Sequence, residues 1–339
     1  MTDTHLPSGH PTVRQGKVGV LLINLGTPDG TDYWSMRRYL SEFLSDPRVI
    51  EVPMPIWQLI LQGPILTFRP AKSGHAYKQV WTDGGSPLLI YTKAQAEKLN
   101  ARIGNDALIV DFAMNYGNPS IASKIDKLKE QGCTRILTVP LYPQYSATTT
   151  ASVNDRTFKA LMKLRWQPAL RTLPAFHDDP AYIDALCTSL SASLAALDFQ
   201  PDVLLMSYHG IPKSYFDKGD PYHCHCHKTT RLVRKKMGWS ENFIRTTFQS
   251  RFGPQEWLQP YTDKTLEALP GEGVKKVAVA APAFISDCLE TLEEIAMQGK
   301  ESFIEAGGES FASLPCLNDS DPAIDLLQTL VMRELGGWV

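Results

Sequence analysis

No stretch of this 339-residue chain approaches the ~20 consecutive apolar residues that a bilayer-spanning helix needs. The segment Met1 to Arg14 is polar, with two prolines and two histidines, and lacks the apolar core of a signal peptide. Excess positive charge is missing too. A net charge of −2 gives no reason to expect a nucleic acid, which would favour a basic face, as a partner. Cysteine is sparse: Cys133, Cys187, Cys224, Cys226, Cys288 and Cys316 are scattered rather than framed, which argues for free thiols in a reducing compartment. The glycine loops lack both G-x-G-x-x-G and the P-loop lysine pattern, so nucleotide binding is rejected. No fixed-period repeat or low-complexity run is present. These absences predict a soluble cytoplasmic protein and leave only peripheral contact with a membrane open.

What is there is a βα rhythm. Hydrophobic content of 43% and charged content of 21% are those of an ordinary folded protein, and the length favours two domains. The first strand, Val18 to Leu25, is apolar almost throughout, as a strand covered on both faces should be. It runs into the loop Gly26-Thr27-Pro28-Asp29-Gly30. Further strands are expected at Leu108–Met114, Arg135–Val139, near Ala169–Arg171, and ending at Met206, Phe248 and Ala280, with helices between them. Such alternation implies parallel sheets. The expected architecture is α/β: two similar Rossmann-like domains with a cleft between them, residues 17–170 and 171–318. A flexible N-terminus (1–16) precedes them, and a C-terminal helix (319–339) packs back across the first. The proline-broken apolar segment 52–70, with Trp57 and Phe68, reads as a lip on something greasy or as a short core helix pair.

Several residues could do chemistry. The strand Val203–Met206 stops at Ser207-Tyr208-His209-Gly210-Ile211-Pro212, which surfaces an imidazole where open α/β sheets bind ligands. A histidine at a strand end also serves structure alone. After the strand Val277–Ala280, a helix from about Ser286 places Asp287, Glu290 and Glu294 at i, i+3 and i+7 on one face. A line of carboxylates suits divalent cations or protons, although acids in a first helical turn are favoured anyway. Tyr142-Pro143-Gln144-Tyr145-Ser146 brings hydroxyls to another strand end, where caps are common. His223-Cys224-His225-Cys226-His227 has neither the spacing nor the second pair of a zinc module and is expected to hold no dedicated metal.

In order along the chain, Leu22-Ile23-Asn24-Leu25-Gly26-Thr27-Pro28, Gly84-Gly85-Ser86-Pro87, Tyr142-Pro143-Gln144-Tyr145-Ser146, Ser207-Tyr208-His209-Gly210-Ile211-Pro212, Thr247-Phe248-Gln249-Ser250 and Asp287-Cys288-Leu289-Glu290-Thr291-Leu292 together resemble the ferrochelatase family, in its short bacterial form. The likeness covers roughly residues 17 to 330. It implies insertion of Fe²⁺ into protoporphyrin IX with release of two protons, the last step of haem biosynthesis. It also implies His209 as the catalytic histidine and Glu290 as the facing carboxylate, either or both holding metal. Asp287 and Glu294 would extend a proton or metal path, and Tyr145, Ser146, Asn24, Thr27, Pro28, Trp57 and Tyr208 would touch the macrocycle. Ferrous iron is then a substrate and no cofactor is required. Ala147 stands where cluster-bearing members carry a cysteine, and the chain ends at Val339 without a cysteine-bearing extension, so no iron–sulfur cluster is expected. A monomer or weak homodimer is expected. The rival readings are a chelatase for coproporphyrin or for sirohydrochlorin with cobalt or nickel, and a tetrapyrrole or metal carrier without turnover.

Overall fold

The computed structural model describes residues 7–10 and 16–339. The flexible terminus expected at 1–16 thus falls largely on residues 1–6 and 11–15, outside the described residues. Two four-stranded sheets are built. The first holds β1 (Lys17–Thr27), β2 (Leu108–Gly117), β3 (Cys133–Pro140) and β4 (Ala169–Thr172) in the order β2-β1-β3-β4. The second holds β5 (Val203–His209), β6 (Ile244–Gln249), β7 (Lys276–Ala280) and β8 (Ser310–Ser313) in the order β6-β5-β7-β8. All six strand pairings are parallel. The two sheets repeat one topology, with the first strand of each set between the second and third. A division at 170/171 would cut β4, whose Arg171 pairs with Leu137 of β3; the first sheet reaches Thr172.

Burial explains the apolar strands. Val20, Leu21, Leu22 and Ile23 of β1 and Leu204, Leu205 and Met206 of β5 are fully buried, because helices cover both faces of each sheet. Each such side chain is worth roughly 1.5–3 kcal/mol on removal from water. The helices start where the chain offers caps. Asp32 accepts the amides of Trp34 and Ser35 ahead of the helix Tyr33–Leu44, and Asp179 accepts that of Ala181 ahead of Pro180–Ala195.

One apolar cluster joins the halves. It runs from Val20 and Leu22 through Tyr182, Ile183 and Leu186 to Leu204 and Met206, and takes in Ile324, Leu327, Leu330 and Val331. These last four lie on the helix Asp321–Glu334, which packs against the helices Pro87–Ile103 and Pro180–Ala195. Among the described residues no helix is long and apolar enough to cross a membrane.

The segment 52–70 folds as a helix (Met54–Ile60), a kinked π turn (Leu61–Ile65) and the start of a helix running to Val80. Ile56, Leu59 and Phe68 are exposed at its outer surface. Trp57 turns inward instead, donating its indole N–H to the Leu44 carbonyl at 2.6 Å.

Candidate active site

In an open sheet of this order, the strand ends diverge where the chain reverses direction across the sheet, which opens a crevice. Both sheets have such a point, between β1 and β3 and between β5 and β7. A cleft of about 490 Å³ is lined by residues from both: Asn24 and Leu25 ending β1, Leu141 and Tyr142 after β3, His209 to Pro212 ending β5, and Ala283 to Ser286 after β7. The remaining wall comes from Cys288, Leu289 and Glu290 and from the loop after β6 with Phe252 and Trp257. The cleft is therefore a product of the doubled topology.

His209 is half-buried, and its Nδ1 lies 2.6 Å from the Gly210 carbonyl oxygen. A carbonyl only accepts, so Nδ1 carries a proton, and in the neutral form of the ring the lone pair is on Nε2. Glu290 opens a ten-residue π-helix, Glu290–Gly299. Its i→i+5 bonding widens each turn, and Glu290, Glu294 and Gln298 all line the cleft. The Ser250 amide donates to Glu294 Oε1 at 2.7 Å, and the Ser250 hydroxyl donates to Oε2. Burial raises the Glu294 carboxyl above the ordinary range; the Ser250 hydroxyl and the charge of His209 oppose that rise, and the charge of Glu290 adds to it. The Gln249 amide donates to the Glu290 carbonyl at 2.9 Å, while its oxygen accepts from Ser207 at 2.7 Å, which fixes the π-helix to β5.

Comparison with known proteins settles the family. The ferrochelatase family model matches residues 17–335. The chain belongs to the ferrochelatase family. It is 59% identical over 337 residues to the ferrochelatase of Agrobacterium fabrum, covering 98% of each chain, and 60% identical over 338 residues to that of Allorhizobium ampelinum, covering 99% of this chain and 98% of the relative. Among solved structures it is similar to the sirohydrochlorin chelatase SirB of Bacillus subtilis subspecies spizizenii in complex with cobalt, at a TM-score of 0.57 and 10% identity, over 95% and 97% of the two chains. SirB from Bacillus subtilis with Fe³⁺ gives a TM-score of 0.56. At such identity these two neighbours speak for the fold alone: the paired parallel sheets are shared by chelatases.

Within this ferrochelatase-family cleft, Asn24, His209, Glu290 and Glu294 stand at the wall. Other residues expected there do not line it. Tyr208 is fully buried and shares a hydrogen bond with Thr230 at 2.9 Å, because strand alternation turns it away from His209. Ser146 is buried as a cap, accepting the Thr148 amide and donating to Asp220 at 3.0 Å. The Asp287 carboxylate is saturated by Asn318 (2.7 Å), Thr291 (2.8 Å) and the Cys316 amide. It precedes the π-helix, so the expected i, i+3, i+7 face is not formed. Thr27 and Pro28 are buried at the end of β1, Trp57 is held by Leu44, and Tyr145 meets the neighbouring helix through its backbone.

Arg69 and Lys72 line the cleft and were missed. Arg69 lies over the Phe252 ring at 5.4 Å, and burial lowers its pKa. The signal was legible: two cations three residues apart, Arg69 at the end of an otherwise apolar lip and Lys72 just beyond it.

Proposed function

We infer that this chain inserts ferrous iron into protoporphyrin IX, releasing two protons and forming protohaem. The observation that carries the reading is a mostly apolar cleft at the meeting of two sheet switch points, with an imidazole, His209, and three carboxylates, Glu290, Glu293 and Glu294, at its wall. The reaction needs these types. As iron enters, two pyrrole N–H protons leave, and the Nε2 lone pair of a neutral His209 would accept one. Glu290 and Glu294, sharing one edge of the π-helix, supply oxygen ligands for a divalent cation or carry protons outward. Among the described residues no group of three or more His, Cys, Asp or Glu side chains could hold a metal ion by itself.

The apolar walls around Phe252, Trp257 and Leu289 would grip the macrocycle, and the binding energy would help distort it from planarity. Arg69 and Lys72 have the charge to receive its carboxylates. No resident cofactor or iron–sulfur cluster enters this scheme. The exposed Ile56, Leu59 and Phe68 fit peripheral contact with a membrane, and the free thiols fit the cytoplasm.

The test is an anaerobic absorbance assay with protoporphyrin and coproporphyrin against Fe²⁺, Zn²⁺ and Co²⁺. Protoporphyrin with Fe²⁺ should turn over fastest. His209→Ala should lose at least about a hundredfold in kcat while keeping its circular dichroism spectrum. Near-normal turnover in that variant, or tight porphyrin binding with no metal insertion by the wild type, would reject the reading.

A further inference from the structure

The chain carries a second histidine constellation that the cleft chemistry does not use. His177, in the turn after β4, stacks on His225 of the helix Tyr222–Met237, with ring centroids 3.5 Å apart and planes 5° from parallel. His177 is only 8% exposed, and its Nδ1 has no hydrogen-bond partner. On the other side of the stack, the backbone amide of Tyr145 donates to His225 Nδ1 at 3.2 Å. An amide hydrogen can only be received by a lone pair. His225 is therefore neutral, with its proton on Nε2.

This bond joins the two halves of the molecule. Tyr145 follows β3 of the first sheet, and the helix bearing His225 packs on β6 of the second. Tyr142 and Gln144 before Tyr145, and Thr148 and Thr149 after it, line the cleft. The same helix and the residues leading into it hold the segment at further points. Gln144 donates to Thr229 at 3.1 Å, and Thr229 donates in turn to the His177 carbonyl at 2.8 Å. The Ala147 amide donates to Asp220, just before the helix, at 2.7 Å. The surroundings favour neutral rings. Burial depresses both imidazoles, His177 to about 4, and Lys228 adds to this; Asp178 acts against it on both rings and Asp220 on His225.

We propose that His225 is a positioning residue for the porphyrin wall: its unprotonated Nδ1, braced by the stacked His177, holds the Tyr145 amide and so sets the segment 142–149 against the cleft. The inference rests on the cleft being the tetrapyrrole site. His225 itself does not line the cleft, so its loss should fall on binding rather than on the metallation step.

Two substitutions test it. In His225→Leu the acceptor is gone. In His225→Asn the amide oxygen can stand where Nδ1 stood, without a ring. The Leu variant should raise the KM for porphyrin about tenfold, the worth of one part-buried hydrogen bond, with kcat within about twofold. Hydrogen–deuterium exchange of the peptide covering 143–147, measured without porphyrin, should quicken. The Asn variant should restore both. An Asn variant as impaired as the Leu variant, unchanged exchange in the Leu variant, or a loss in kcat at unchanged KM would each overturn the proposal. If the wild type binds no porphyrin, the cleft reading fails, and the exchange measurement still decides whether the Tyr145 amide is held by His225.

Discussion

At the scale of single residues, fixed hydrogen-bond partners orient the polar groups of the cleft. The Gly210 carbonyl accepts a hydrogen bond from His209 Nδ1–H, and Ser250 donates to both oxygens of Glu294. Glu294 has its pKa raised chiefly by burial, so the folded state holds its proton more tightly than the unfolded chain does. Its contribution to stability is thus present at low pH and lost as pH rises through the folded pKa. Glu294→Gln removes that burden. It is expected to melt no lower than the wild type at pH about 7.5, with its advantage shrinking as pH falls toward the ordinary carboxylate range. The same change should lower kcat by at least about tenfold through loss of a proton or metal carrier. Thermal melts across pH, alongside steady-state metallation, check both.

At the scale of elements, strand ends and one π-helix build the site. Gly26, one residue before the end of β1, has φ +111°, and a Cβ there would sit 1.8 Å from the Tyr116 carbonyl oxygen. β1 and β2 can pair to their ends only because this residue has no side chain: Gly26 sits beside Tyr116 and Thr27 beside Gly117. Gly26→Ala should cost about 3 kcal/mol by urea unfolding, from backbone strain and displacement of β2 together. A cost below about 1 kcal/mol would mean that the strand end yields easily. The π-helix is the other decisive element. Its wide turn carries Glu290, Glu294 and Gln298 along the cleft, whereas α-helical pitch from Asp287 would put that residue on one face with Glu290 and Glu294.

At the scale of the whole molecule, the two repeated sheets do not behave as separate bodies. Leu22 of β1, Leu204 of β5 and Leu327 of the C-terminal helix share one buried cluster. The surface ion pairs Arg102–Asp321 and Lys98–Asp319 reinforce the contact between that helix and Pro87–Ile103 but add little energy. Leu327→Ala, at a fully buried position, should cost about 2–5 kcal/mol. It should also lower a single melting transition seen alike by near- and far-ultraviolet circular dichroism. Two separated transitions would show that the halves melt independently.

The sequence by itself determined the alternation of strands and helices, the buried strands and the chemistry at their ends. A strand covered on both faces must be an unbroken apolar run, and its stop at His209-Gly210 or Pro140-Leu141 is visible without coordinates. The six spaced motifs likewise carried the family. Only the tertiary structure decided which side chains face the cleft. Tyr208 and Ser146 lie beside or between cleft residues yet point into the interior, Asp287 spends its oxygens on Asn318 and Thr291, and Arg69 and Lys72 reach the wall from the lip. Facing depends on helix pitch and on partners far along the chain, and neither is written in local spacing.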